Sequence, residues 1–435
     1  MATKKLLFIV VLIAIAAVGW LGAVRSLSNT EEVETQAALV AEADVLAEKE
    51  LYVRAIPLYL EALGYTTDSN GDIEIKLLEA YLSYGKTSDY TSLVEKRAAS
   101  NTASENEYLT AADIYLSNGD LESAAILLRQ GIDKLGSDAL IECYDSNCYP
   151  YDMRNTNYLE IIPTATNQVM AAYNGVSWQF INSTGRVAIP GEYEDITSFN
   201  NGGFAAVKTS GQYYVITSDG SKYGIDETGL DDVYGIANYV IGQKDGKYGY
   251  YSADFKLAST GLQFDTITLN SNGCALVCDG GKWAIISDSG EKISDFVYED
   301  AALNSIGCAY AGGSALLKEG GAWYIVSTTG EKLCTTGFSD ARAPEGSGYI
   351  AVSDGSKFGF VDHSGATKLE FTYDDAKSFS EGLAPVKVGD KWGYINERGS
   401  LVIDAIFEDA EPFRNGIAIA TFNGYAAILT LDDIG

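Results

Sequence analysis

The sequence has a single histidine, His363, which by itself removes most imidazole-based catalysis and zinc ligation. Its six cysteines, at positions 143, 148, 274, 278, 308 and 334, form no pair of CxxC motifs, so a four-cysteine zinc site is not expected. Cations are scarce: 30 Lys and Arg face 60 Asp and Glu, for a net charge of −30. Such a chain repels phosphate backbones, so no nucleic-acid partner is expected, and any charged partner should be cationic. Proline is low at 7, whereas glycine reaches 45 and aromatics 11%. That mix, with 46% apolar residues, points to many strands joined by tight turns and not to disorder. At 435 residues the chain exceeds one ordinary core, and two or more domains are expected.

Leu6 to Val24 is an uncharged apolar run preceded by Lys4 and Lys5. It is just long enough to cross a bilayer as a helix. The basic residues before it and Glu31, Glu32 and Glu34 after it predict the N-terminus inside and the bulk of the chain extracytoplasmic. A cleaved signal is the alternative, because Ala14-Ile15-Ala16 has the small-x-small form of a cleavage site. Against it, the apolar run continues from Ala17 to Val24, with Trp20 among its residues. The reading is a single-pass anchor over residues 1–27, with a secreted protein if the signal is cut.

Residues 28–136 are rich in Ala, Leu and Glu at helical spacing. Ala55, Tyr59 and Ala62 share one face. Gly85 and Gly119 punctuate helix–turn–helix patterns 34 residues apart, and a further break lies near Glu50. The stretches "YLSNGDLESAAILLRQGI" and "AEKELYVRAIPLYLEAL" resemble the tetratricopeptide family over roughly residues 35–136. That resemblance implies a short solenoid with a concave groove; a plain spacer is the alternative. Thr66 to Asp72 hints at a calcium loop but lacks the required Asp and Glu, and reads as a turn.

Residues 137–157 lose helical period and read as a junction. Cys143 and Cys148 within it could close a small loop in an oxidising compartment. Cys274 and Cys278 share a strand face too far apart to bond each other, and with Cys308 and Cys334 they read as small buried hydrophobes.

Residues 158–435 hold eight copies of one motif. An aromatic slot recurs at Trp178, Tyr213, Tyr248, Trp283, Trp323, Phe358, Trp392 and Tyr425, at intervals of 33 to 40 residues. A turn glycine follows in most copies, as at Gly185, Gly220, Gly290, Gly330, Gly365 and Gly399. Between slots lies a second signature, an aromatic followed by acids, such as Tyr193-Glu194-Asp195-Ile196, Tyr373-Asp374-Asp375-Ala376 and Phe407-Glu408-Asp409-Ala410. Each unit reads as four short strands, with Gly393 between Trp392 and Tyr394 permitting close approach of a neighbouring backbone. Such units cannot bury both faces alone and must stack.

Lys391 to Gly399, "KWGYINERG", resembles the WG-repeat family fully; "KFGFVDHSG" and "KYGYYSADF" resemble it well, and "KWAIISDSG" and "AWYIVSTTG" only loosely. The resemblance implies a β-propeller-like domain and no enzyme activity. Eight blades are expected, with Tyr158-Leu159-Glu160-Ile161 supplying the strand that ties the last blade shut; seven is the alternative, given an insertion near Tyr223-Gly224.

The slot aromatics could stack on sugars, but their fixed register fits packing better. His363, in "VDHSGA", reads as a surface turn with no orienting partner. Tandem acids such as Asp374-Asp375 recur too often to be a catalytic pair and read as structural. "NNGG", "DGGK" and "EGGAW" read as hairpin turns, not phosphate cradles. No residue is assigned a catalytic, metal, cofactor or ligand-binding role, and no cofactor is expected.

The combined expectation is a multidomain chain: transmembrane helix, all-α tetratricopeptide-like solenoid, then all-β propeller. Its expected role is a non-enzymatic, membrane-tethered scaffold engaging a protein or cell-envelope polymer. The competing expectation is an extracytoplasmic hydrolase with carboxylates at the channel, drawn from the irregular segments 221–236, 302–314 or 342–348.

Overall fold

The structure, a computed structural model, describes residues 30–65, 67–163, 169–200, 202–224, 230–236, 240–251 and 264–431. The chain divides between Cys148 and Tyr149 into two compact units.

The first unit is helical. Its helices are α1 (30–47), α2 (Tyr52–Ala62), α3 (Asn70–Tyr84), α4 (Thr87–Ala99), α5 (Glu105–Ser117), α6 (Leu121–Leu135) and α7 (Asp138–Asn147). The three expected breaks are all turns with left-handed backbone: Glu50 at φ 59°, Gly85 at 78° and Gly119 at 76°. Glycine meets that conformation without steric cost. Ser104 and Glu107 form a reciprocal capping box at the start of α5, and the Ser137 hydroxyl accepts from Leu140 N at the start of α7. The latter cap explains why Asp138–Asn147 is helical where the sequence pattern reads as an irregular junction.

Ala55, Tyr59 and Ala62 are buried together, as their spacing predicts. Ala124 and Ala125 on α6 are fully buried. Gly131, farther along α6, could not carry a methyl group: a Cβ there would lie 2.9 Å from Leu140 Cδ1 and 3.0 Å from the Tyr108 ring. Buried Arg97 on α4 ties three helices together, bonding Glu74 of α3 and Glu107 of α5, each at 3.0 Å.

The second unit consists of eight small antiparallel sheets, five four-stranded and three three-stranded. The seventh is the most regular: Asp375–Ala376, Leu383–Val388, Lys391–Asn396 and Leu401–Phe407, in that order. Each slot aromatic sits at or next to the start of its sheet's third strand. In the third, fourth and fifth sheets, isolated bridges stand where a fourth strand would be: Tyr248↔Phe264 in the third, Trp283↔Tyr298 and Ile286↔Lys292 in the fourth, and Trp323↔Phe338 and Val326↔Lys332 in the fifth.

Two parts of the expected architecture are corrected. Among the described residues no helix is long and apolar enough to cross a membrane, so a single-pass membrane placement of the chain is not supported. The apolar run from Leu6 to Val24, on which that expectation rested, lies outside the described residues. The all-β propeller tied shut by residues 158–161 is also corrected: the sheets are separate, and their strand pairing defines neither a closed barrel nor a closed propeller. The strand that completes the eighth sheet is Tyr151–Asn155, paired with Tyr425–Leu431 from Tyr151↔Leu431 to Asn155↔Ala427. Tyr151 and Met153 alternate onto the core beside Leu429 and Trp392, which selects this segment physically. Glu160–Ile162 instead begins the first sheet, paired with Met170–Tyr173.

Candidate binding cavity

Two sequence signatures turn out to be one structural pair. The slot aromatic and the aromatic of the acidic signature are cross-strand partners: Trp178↔Tyr193, Phe358↔Tyr373 and Trp392↔Phe407. Trp323, Phe358 and Trp392 are each buried, so these rings are packing groups and are not free to stack on a ligand. Trp178, Tyr248 and Trp283 are half-buried, and Tyr425 is 47% exposed because the strand completing its sheet reaches only Ala427.

The recurring acids are likewise occupied. The first of the pair caps its own hairpin turn in several repeats: Glu299 accepts from Gly321 N at 2.9 Å, and Glu408 from Gly424 N at 2.8 Å, whereas Asp374 pairs with Lys357. The second accepts from the next backbone N–H, as Asp375 does from Ala376 at 2.9 Å. Its other oxygen, or its neighbour's, meets a side chain. Arg342 bridges Asp340 and Asp375 at 2.8 and 2.9 Å, and the Tyr213 hydroxyl donates to Asp195 at 2.5 Å and Asp232 at 3.0 Å. Burial and these two carboxylates push the Tyr213 phenol far above its usual value. Each carboxylate thus has a structural partner at its own position in the repeat.

At the other end of the sheets, short loops lead from the innermost strand into the second. Several close in a tight turn of two left-handed residues, such as Asn272-Gly273, Glu381-Gly382 and Asn415-Gly416. These turns brace one another: Asn272 Oδ1 accepts from Gly313 N at 2.7 Å, and Glu381 accepts from Gly416 N at 2.9 Å.

The loops of the second to fifth sheets, with Ile162 of the first, enclose a cavity of about 620 Å³. Its apolar wall comes from Ile162, Ile196, Phe199, Leu269 and Ile306, with Tyr234 and buried Cys308 alongside. Of the irregular segments singled out in the sequence, residues 234–236 and 305–308 reach this cavity, whereas 342–348 contributes Glu345 elsewhere. Among the described residues, Asp288 is the single carboxylate lining it. Burial pushes the Cys308 thiol up to about 11, so it is protonated at neutral pH and a poor nucleophile. The signal that could have located the cavity is the stretch just after each acidic signature.

Beyond the cavity, Arg414 of the eighth sheet's loop pairs with Glu345, both side chains nearly buried. Burial lowers the Arg414 guanidinium. His363 is not the surface turn expected from its sequence. Its ring is half-buried, Nδ1 lies 2.7 Å from the Oγ of fully buried Ser314, and Nε2 is buried without a hydrogen-bond partner. Burial lowers the imidazole below its usual 6.5. Ser314 cannot be reached by a substrate, so the pair is not a nucleophile and base. All six cysteines are free thiols; Cys148, Cys274, Cys278 and Cys308 are buried, and Cys143 and Cys334 partly so. Among the described residues no group of His, Cys, Asp and Glu is arranged to hold a metal ion.

The model of the WG containing repeat matches residues 178–213, 248–283, 358–392 and 392–425. Comparison with curated proteins finds no match. Among solved structures, Hsv2 of Kluyveromyces lactis aligns at 11% identity with a TM-score of 0.35, covering 63% of this chain and 98% of that one. The Pan2 WD40 domain of Neurospora crassa aligns at 9% identity and a TM-score of 0.32, covering 66% and 91%. YCF48 bound to D1 peptide aligns at 11% identity and a TM-score of 0.30, covering 65% and 97%.

Proposed function

We propose that this chain, a WG-repeat, β-propeller-like protein by its matched segments between 178 and 425, is a protein-binding scaffold and not an enzyme. The observation that carries the reading is the cavity of about 620 Å³ at the loop ends of successive sheets. It falls in the size range of recognition pockets, and its walls mix apolar side chains with a comparable number of polar ones. The repeated acids support the same reading, because each one is committed to a turn, a backbone N–H or a neighbouring sheet. The thiol and hydroxyl that might act as nucleophiles are protonated or buried.

The test is site-specific photo-crosslinking with the full chain. A benzophenone amino acid at Asp288, on the cavity rim, should yield discrete protein adducts in cells. The same group at exposed Val388, at the far end of the seventh sheet's second strand, should yield none. Equal labelling from both positions, or no adducts from either, overturns the proposal.

A further inference from the structure

The cavity has a one-sided polar character. Among the described residues its lining includes no Lys, Arg or His, and the one carboxylate there, Asp288, is exposed at the rim. Asn270 holds that carboxylate in place: its Nδ2 donates to Asp288 at 3.0 Å, and its Oδ1 accepts from the Tyr250 hydroxyl at 3.3 Å. The Ser305 hydroxyl also belongs to the lining, and its oxygen is buried with no hydrogen-bond partner. A buried hydroxyl left unpaired costs about 1–3 kcal/mol, which a ligand donor or acceptor can recover. The chain as a whole carries a net charge of −30, so the potential around the cavity favours cations. A phosphate or carboxylate ligand would meet a like charge at Asp288, and buried Arg414, whose charge reaches Cys308, is already paired with Glu345.

We infer that the cavity receives an extended segment of a partner protein that presents a Lys or Arg to Asp288 and a neighbouring aliphatic side chain to the wall of Ile196, Phe199, Leu269 and Ile306. This rests on the binding reading above and adds the chemistry of the partner. The volume takes a few side chains and not a folded domain. The apolar wall supplies most of the affinity, because each fully buried aliphatic side chain is worth roughly 1.5–3 kcal/mol. The rim carboxylate supplies discrimination, because an exposed ion pair is worth only about 0.2–1 kcal/mol.

Calorimetric titration of the full chain with three end-blocked pentapeptides tests this, their cores being Leu-Lys-Leu, Leu-Glu-Leu and Ser-Lys-Ser. The Leu-Lys-Leu peptide should bind at least about tenfold more tightly than the Ser-Lys-Ser peptide. It should exceed the Leu-Glu-Leu peptide by a smaller factor, about two- to fivefold, that fades in ~0.5 M salt. Asp288→Asn, an exposed change that leaves the fold in place, should erase the Lys-over-Glu preference and keep the dependence on Leu. Ser305→Leu, which narrows the cavity at its wall, should weaken binding of all three peptides at least about tenfold, with circular dichroism confirming an intact fold. If the Glu peptide binds as well as the Lys peptide and Ser305→Leu weakens both, the inference about charge fails while the binding reading stands. If none of the peptides binds at millimolar concentration, the inference fails, and adducts from position 288 then decide whether the binding reading survives.

Discussion

Trp392 stands directly opposite Phe407 across the third and fourth strands of the seventh sheet, and both rings are buried. Between them the fourth strand bulges. The pairing jumps from Tyr394↔Ile403 to Trp392↔Phe407, so residues 404–406 crowd over Gly393 alone. The glycine between the aromatics is therefore a steric requirement set by the bulge.

A methyl group at position 393 would lie 2.6 Å from Ile403 O and 2.8 Å from Ala405 N, and backbone atoms cannot swing aside. Gly393→Ala is expected to cost about 1–3 kcal/mol, the range for overpacking. Urea unfolding measures it. An unchanged midpoint would show that the bulge relaxes freely.

The Arg414–Glu345 pair joins the loop of the eighth sheet to that of the sixth, with side chains 12% and 6% exposed. Removing one partner of a buried pair strands the other charge. Arg414→Met alone should therefore cost about 3–5 kcal/mol, while Arg414→Met with Glu345→Leu should recover most of the loss. Additive losses in the double variant would mean that the two charges act independently.

The contrast is Arg342, which bridges Asp340 and Asp375 but is one-third exposed in its side chain. Water screens such contacts. Asp340→Asn should cost no more than about 1 kcal/mol, and that cost should shrink in high salt. A loss of several kcal/mol, insensitive to salt, would contradict this.

His363 makes stability depend on pH. Burial lowers its folded pKa below 6.5, so the unfolded chain binds the proton more readily. Stability from this group is complete above the unfolded value and is lost as pH falls from 6.5 toward the folded value. The thermal midpoint should decline as pH falls below about 6.5, and His363→Gln should flatten that decline. A variant whose profile runs parallel to the parent chain would refute the role.

The sheet modules were legible in the sequence because a single strand register repeats. An aromatic at the head of the third strand must meet the same neighbour each time, so Trp178, Trp323 and Trp392 recur in one slot. Turns were legible for a similar reason, since Gly280-Gly281 and Gly320-Gly321 have left-handed backbone that glycine favours. What could not be read was long-range or context-bound. Tyr151–Asn155 finds its partner at the far end of its unit, and nothing local in an Asn- and Tyr-rich stretch beside Pro150 announces a strand. His363 looked like a turn residue because its partner Ser314 lies in a different repeat. The cavity arises from the loops that follow the acidic signatures, whose own residues vary from repeat to repeat, so the repeat pattern gave their place and not their shared role. The membrane-spanning helix was inferred from hydropathy alone, and the described residues contain no helix of that kind.

The pairing of residues 151–155 with 427–431 has a consequence for biosynthesis. During translation the earliest strand of this unit must wait, unpaired, until residues 427–431 have emerged. Pairings so distant in sequence form slowly. Any message cut short before Tyr425 would release a product with naked strand edges at Tyr151–Asn155 and Ile417–Phe422, a template for clumping that quality control would have to clear.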